Sequence, residues 1–480
     1  MNDRKGFGSN FGFLMAAVGS AVGLGNIWGF PNKMGANGGF PFLILYLALA
    51  LCCGVIIMLG ELALGRKTGH GAVGAYQSIS RRFKWLGWLG IAAAALIFSF
   101  YSALGGYCLR YVVVNLGNLI GAEFGTNGVG GADVFQGLLS QPDVSIAFAL
   151  AFMLITMLVV MCGVGGGIER VCSVGMPALF FILIICIIRS CTLPGAADGL
   201  KYMFVPGWAV ANGIIDEAPG FWRVLTAAGG QMFFSLSLGA GVMITYGSYL
   251  DKKQDLGKST MIIVGMDTVV ALMAGLCVIP GRFALDPNGA LGGPELLFIT
   301  MQNVFDKMGP AGPVFGILFY LLVFFAAISS SISMLEVIVA HFCDKAREKG
   351  KGDRRKLYSA IAVVICAALC ALVCADGMGS NHISPAELLG LAGAKLPGWS
   401  TSWLGLFDSV AEGLLMPLGA LLMCLMISWE LKPDALRQEI LLNGENRPWV
   451  YDFFRLCVKY ITPLCMLMIL YGQISDFFIV

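Results

Sequence analysis

The stretch Ala16-Ala17-Val18-Gly19-Ser20-Ala21-Val22-Gly23-Leu24-Gly25-Asn26 constrains this chain most. It lies inside a first apolar segment about the length of a membrane span. Yet it carries three glycines and ends in an asparagine. A helix facing lipid gains nothing from weakening itself there. Interrupted backbone at membrane depth is stable only where it is buried in protein or lines a cavity. Carbonyls freed by a break can hold a cation, and freed N–H groups can hold a carboxylate. The segment therefore predicts a transporter-like membrane protein with its site at the bilayer midplane.

Composition agrees with a membrane class. The 480 residues are 58% hydrophobic and only 12% charged, against about 25% charged in soluble domains. An all-α polytopic membrane protein is expected, held in the lipid bilayer and with no nucleic-acid partner. The net charge of +2 says little about partners, because distribution matters more than the sum. Met1-Asn2-Asp3-Arg4-Lys5 runs into the first span without a small-residue cleavage site, so a removed signal peptide is not expected. The 15 cysteines fall mostly in apolar segments and show no zinc or redox spacing, which reads as small apolar core residues. No nucleophile–base pair, nucleotide loop or metalloprotease motif stands out, so the chain is not expected to be an enzyme.

Eleven spans are predicted, at about 11–34, 39–66, 86–118, 145–163, 171–190, 221–249, 259–281, 312–342, 357–376, 404–430 and 454–476. Basic clusters fall on alternate connections. One side holds Arg4 and Lys5, then Arg66 to Lys84, then Lys252 to Lys258, then Lys345 to Lys356, while the other holds isolated lysines such as Lys33, Lys201 and Lys307. The positive-inside rule puts the N-terminus in the cytoplasm and, with an odd count, the C-terminus outside. The longest outer connections, about 119–144 and 191–220, are expected to pack on the outer face.

The sixth span repeats the oddity of the first. Gln231-Met232-Phe233-Phe234-Ser235-Leu236-Ser237-Leu238-Gly239-Ala240-Gly241 is polar and glycine-rich at mid-membrane. Span one plus five is span six, so an interrupted helix opens each five-span half. That placement predicts paired repeats with the site between them. The expected organisation is one transporter domain over 1–480, with one repeat at about 11–190, a second at about 221–430 and an extra span at about 454–476.

Several motifs carry a resemblance over nearly the whole chain. Asn26-Ile27-Trp28-Gly29-Phe30-Pro31, Asn37-Gly38-Gly39 and Gly60-Glu61-Leu62-Ala63-Leu64-Gly65-Arg66 are similar to the neurotransmitter:sodium symporter family. So are Gly167-Ile168-Glu169-Arg170, Phe233-Phe234-Ser235-Leu236-Ser237-Leu238-Gly239 and Ser329-Ser330-Ser331. Eleven spans resemble the shorter bacterial members. The resemblance implies a five-plus-five inverted-repeat fold with broken helices one and six. It implies a sodium-coupled symporter importing hydrophobic, possibly aromatic, L-amino acids by alternating access in the bacterial inner membrane. Two rivals remain open: a carrier of another small carboxylate (γ-aminobutyrate- or betaine-like), or an amino-acid sensor that does not transport. The sequence leaves the oligomeric state open.

The resemblance also assigns roles. A first sodium would bind the Ala21 carbonyl, Asn26, Ser235 and Asp267, where many relatives carry asparagine at the last position. An intramembrane aspartate is by default a functional residue. A second sodium would use carbonyls of Gly19, Val22 and Ala326 with the hydroxyls of Ser329 and Ser330. Tyr46, Gln231 and Ser235 match the chloride-holding pattern of some relatives, but the hydroxyl position of span seven is Ala271. Asp267 would already supply the negative charge, and two anions so close repel in a low dielectric, so chloride is not expected to be required. Gly23 stands where monoamine carriers hold an aspartate, and leaves room for a substrate carboxylate near Leu24, Gly25 and the Tyr101 hydroxyl. The substrate amine would meet Ala21, Phe234, Ser235 and Ser237. Ile97, Tyr101, Phe234, Ala240, Ser330 and Met334 would line the side-chain pocket, with adaptable Met334 favouring breadth. Inside, Arg4 and Asp344 match a charged gate. Outside, the family's usual arginine is replaced by Gly29, so Lys33 is expected to reach Asp408 instead. Glu61 is expected to accept N–H groups from the broken sixth span.

Overall fold

The structure is a computed structural model that describes residues 6–126, 128–291, 293–352, 354–391, 396–441 and 448–478. Among these, nine helices are long and apolar enough to cross a membrane. The second to fifth spans are Phe40–Thr68, Arg81–Ile120, Pro142–Met161 and Val164–Cys191. The seventh to eleventh are Leu256–Leu285, Gly309–Glu348, Arg355–Asp376, Trp403–Leu431 and Trp449–Ser475. The first span is a pair, Asn10–Ala21 and Gly25–Ala36, bent by 43°. The sixth is Phe221–Leu236 followed, after 237–241, by Val242–Gly247. Nine helices and the bent first pair thus account for ten of the eleven expected spans by length and apolarity, and the sixth is present as two shorter helices on either side of its break. The fifth begins earlier than expected, because a π-helical turn at Val164–Glu169 follows Gly163 and runs directly into the helix. The long connections at about 119–144 and 191–220 fold into the short helices Gly131–Leu139, Ala196–Phe204 and Trp208–Ala211.

Burial sorts the spans into an inner and an outer set. The most apolar stretch of the third span is 78% buried in protein, whereas those of the fourth, fifth and ninth are 33%, 28% and 39% buried. Phe181 and Val364 on the outer spans are 67% and 70% exposed, which is stable only against hydrocarbon. Polar residues run the other way. Asn26, Gln231, Ser235, Asp267, Ser329 and Ser330 are all buried at the centre. Such residues are costly in a membrane unless they face one another or a site.

The sixth span breaks because its sequence permits left-handed backbone. Gly239 and Gly241 have φ of 79° and 74°, which glycine adopts at no steric cost, and Ser237, at φ 53°, enters the same region without being glycine. The freed Gly239 N–H donates to Glu61 Oε1 at 2.7 Å, so the second span carries the acceptor that the lost helical turn no longer supplies. The first span is anchored at its start as well. Ser9 caps the helix by accepting from the Gly12 N–H at 2.9 Å. The Gly8 N–H and the Ser9 hydroxyl both donate to Glu169 of the fifth span, at 2.7 and 2.9 Å.

Candidate functional site

The two breaks face each other, and Asp267 of the seventh span sits against both. Asn26 Nδ2 donates to Asp267 Oδ1 at 2.7 Å and to the Asp267 carbonyl at 3.0 Å. The Ser235 hydroxyl donates to the two carboxylate oxygens at 2.9 and 3.0 Å, and the Tyr46 hydroxyl to Oδ2 at 3.2 Å. Asn26 Oδ1 accepts the Gly23 N–H at 3.0 Å, inside the break. Asn26 and Ser235, two of the four residues expected around a first sodium, therefore both bond to a third, Asp267. The fourth, Ala21, is the last residue of the first half-helix. Gln231, which matches the chloride-holding pattern of some relatives, bonds within the protein. Its Nε2 donates to the Gly25 carbonyl at 2.6 Å, tying the sixth span to the first.

A second cluster joins the first span to the eighth. Ser330 Oγ donates to the carbonyls of Gly19 and Ser20 at 3.3 and 3.1 Å. Ser329 Oγ lies 3.0 Å from the Ala326 carbonyl and 3.5 Å from that of Val22. All five residues expected around a second sodium converge here. The donor set is carbonyl and hydroxyl oxygen throughout, which suits a hard monovalent cation rather than a transition metal. The Ser20 carbonyl was not anticipated. It also accepts from the Ser237 hydroxyl at 3.1 Å, so one freed carbonyl links spans one, six and eight.

Tyr101 of the third span closes the space over the first break. Its hydroxyl accepts the Leu24 N–H at 2.5 Å, and its ring meets Phe234 edge-on at 6.2 Å. A Cβ placed on Gly23 would collide with the Tyr101 hydroxyl and Ser330 Oγ, so only glycine leaves these groups their positions. Ile97, Ala240 and Met334 are buried. The Ala240 backbone packs on the third span, 3.1 Å from where a Cβ on Gly90 would stand.

The charge pair made by Lys33 differs from expectation. Lys33 bonds to Glu412, not Asp408. Both acids are on the tenth span, but a π-helical turn, Ser409–Leu415, begins directly after Asp408. A wider turn shifts the register of the face, and Glu412 reaches the lysine. The sixth span meets this pair through bare backbone. A Cβ on Gly230 would stand 2.8 Å from Glu412 Oε1 and 2.9 Å from Gln473 Nε2. Sequence reasoning missed Glu412 and Gln473. The available signal was that Glu412 lies four residues beyond Asp408, on the same face of a regular helix. Lys33→Glu and Glu412→Lys are each expected to lower uptake about tenfold or more, since a pair this buried is costly to break. The double reversal should restore most of it, and rescue of Lys33→Glu by Asp408→Lys instead would overturn the pairing.

At the opposite end, Asp344 accepts the Gly71 N–H at 3.1 Å and lies 4.0 Å from Arg347. Its expected partner Arg4 lies outside the described residues.

Two broken helices with carbonyls, hydroxyls and one carboxylate converging on the breaks define an ion-coupled transporter of the five-plus-five inverted-repeat fold. The chain belongs to the Sodium:neurotransmitter symporter family, whose description fits residues 4–126 and 132–478. It is 36% identical over 480 residues to YhdH of Bacillus subtilis (strain 168), an uncharacterized sodium-dependent transporter, covering 97% of each chain. It is 29% identical over 459 residues to the sodium-dependent transporter MJ1319 of Methanocaldococcus jannaschii, covering 91% of this chain and 84% of that one. Among solved structures it is similar to MhsT in complex with L-phenylalanine, with a TM-score of 0.83, 34% identity, and 98% and 100% of the two chains covered. The protein is a multi-pass membrane symporter coupled to sodium, and not an enzyme.

Proposed function

We propose that this transporter imports hydrophobic L-amino acids, aromatic ones included, with two sodium ions and without a chloride requirement. The observation that carries the substrate reading is the Gly23 break. Where an amine carrier would hold a carboxylate of its own, there is no side chain, and the Leu24 N–H and Tyr101 hydroxyl are bonded to each other. A substrate carboxylate would part these two and accept from both, aided by the positive end of the second half-helix. Its ammonium would meet the carbonyls of Ala21, Phe234 and Ser235 and the hydroxyl of Ser237. Its side chain would lie among Ile97, Tyr101, Phe234, Ala240, Ser330 and Met334. The similarity to MhsT, solved with L-phenylalanine, supports an amino acid of that size.

The ion reading rests on the two oxygen clusters. Ala21, Asn26, Ser235 and Asp267 would hold one sodium. Gly19, Val22, Ala326, Ser329 and Ser330 would hold the other. Asp267 supplies a fixed charge where the Tyr46 and Ser235 hydroxyls already point, which makes a chloride redundant. Two sodium ions entering with a zwitterion gain about 4.6 kcal/mol from a membrane potential of about 100 mV, at about 2.3 kcal/mol per charge. The alternating basic clusters support a bacterial inner-membrane protein with a cytoplasmic N-terminus. Spans one to five and six to ten form the two repeats, and the eleventh is additional.

Purified protein in proteoliposomes provides the test. Uptake of L-phenylalanine, L-leucine and L-tryptophan is expected to saturate, to require inward sodium and to persist when gluconate replaces chloride. Equal uptake with choline in place of sodium would refute the reading. Binding without uptake would instead indicate a sensor.

A further inference from the structure

We propose that the end of the molecule bearing the basic clusters carries an anion site for a phosphate group, formed between the start of the third span and the end of the eighth. A cavity of about 170 Å³ opens there, lined by Lys84, Trp88, His341, Asp344, Lys345, Glu348 and Lys349 among others. His341 and Lys345 are four residues apart on one face of the eighth-span helix, and Lys349, four residues further, is the residue that caps its C-terminal end. Lys84 and Trp88, also four apart, face them from the third span.

Three features single this cavity out. First, like charges four residues apart on a helix repel, and among the described residues Lys84, Lys345 and Lys349 make no ion pair. Asp344 is already engaged by the Gly71 N–H. Asp344 and Glu348 together set two negative charges against three lysines, and Asp344 is shared with Arg347 at 4.0 Å. Second, His341 is only 8% exposed, and its Nε2 is buried with no hydrogen-bond partner. A buried ring nitrogen left unmatched calls for a polar ligand. Attraction of basic residues to a helix C-terminus accounts for Lys345. It accounts for neither Lys84 on another helix nor the unmatched nitrogen. Third, Trp88 meets the His341 ring edge-on at 4.9 Å and is 42% exposed, as Trp85 is 47% exposed. Exposed indoles at the end of a span mark the level of lipid headgroups.

The ligand chemistry is therefore a phosphate oxyanion, received by three ammonium groups and one imidazole. It can arrive as a phospholipid headgroup or as free phosphate. Its location on the cytoplasmic face rests on the topology proposed above. The test is made in detergent and needs neither orientation nor transport, so its failure would leave the transport reading standing.

Thermal unfolding of the full-length protein is followed with dioctanoyl phosphatidylglycerol, dioctanoyl phosphatidylcholine or inorganic phosphate. Saturable stabilisation by phosphatidylglycerol alone identifies a lipid headgroup, and stabilisation by phosphate as well identifies a free anion. Lys84→Gln, Lys345→Gln and Lys349→Gln together should weaken binding by about fivefold per lysine. The corresponding arginine triple should retain it, which separates lost binding from a lost fold. Removing the same charge at Lys253, Lys351 and Lys356, outside the cavity, should change little. Stabilisation by neither anion, or an equal loss in both glutamine triples, would overturn the site.

Discussion

Asp267→Asn is expected to raise the sodium concentration needed for half-maximal uptake by about tenfold or more. The carboxylate is fully buried and receives Asn26, Ser235 and Tyr46. These are neutral donors, so the net negative charge of the cluster is Asp267 alone. Attraction between unit charges about 4 Å apart is worth about 4 kcal/mol at an effective dielectric near 20. If a third of that survives desolvation, the loss is about tenfold in affinity. Asparagine keeps the shape, so the fold should hold, and sodium-dependent thermal stabilisation should shift in parallel with uptake. A second consequence concerns anions. With the carboxylate gone, the Tyr46 and Ser235 hydroxyls would face a cation without a counter-charge, and chloride should begin to stimulate uptake. Unchanged sodium dependence together with indifference to chloride would remove Asp267 from the ion site.

The fold was largely legible because membrane helices announce themselves by length and apolarity, and their interruptions by glycine. Both breaks fall within the stretches that the sequence marked. The first runs from Val22 to Leu24 and the second from Ser237 to Gly241. The motifs pointed to residues that the fold brings together, since Asn26 and Ser235 both bond to Asp267 across as much as 241 positions of chain.

What sequence could not supply was register. Lys33 meets Glu412 because of a π-helical turn, and no residue pattern in Ser409-Val410-Ala411-Glu412 separates that turn from an ordinary one. The Ser20 carbonyl was missed for a related reason. Backbone acceptors carry no sequence signal, and which carbonyl a break directs at Ser237 and Ser330 depends on the path of the unwound chain. Gln231 matched a chloride-holding pattern not expected to operate here, and its bond to the Gly25 carbonyl, which also accepts the Phe30 N–H across a π-helical turn, depends on that irregular backbone. Each miss is a tertiary outcome of irregular backbone, which is also where the chemistry of this fold is concentrated.

Gly23→Ala tests the substrate end of the site with a single methyl group. The added carbon would press on the Tyr101 hydroxyl and on Ser330, whose Cβ would be 3.0 Å away. Neither is free to retreat. The Tyr101 hydroxyl is held by the Leu24 N–H at 2.5 Å, and Ser330 by the Gly19 and Ser20 carbonyls at 3.3 and 3.1 Å. Overpacking of this kind costs about 1–3 kcal/mol, or roughly 5- to 150-fold in an equilibrium constant. The methyl would also occupy the space proposed for the substrate carboxylate, a part common to every amino acid. The KM for uptake should therefore rise by a similar factor for leucine, phenylalanine and tryptophan alike. A clash with the side chain would instead discriminate between them. Ser330 belongs to the second proposed sodium set and Asn26 accepts the Gly23 N–H, so stabilisation by sodium without substrate should weaken as well, and a retained cooperative unfolding transition in detergent certifies that the variant is folded. If Gly23→Ala transports within about twofold of the parent, or if its loss grows with side-chain size, the carboxylate does not bind at this break.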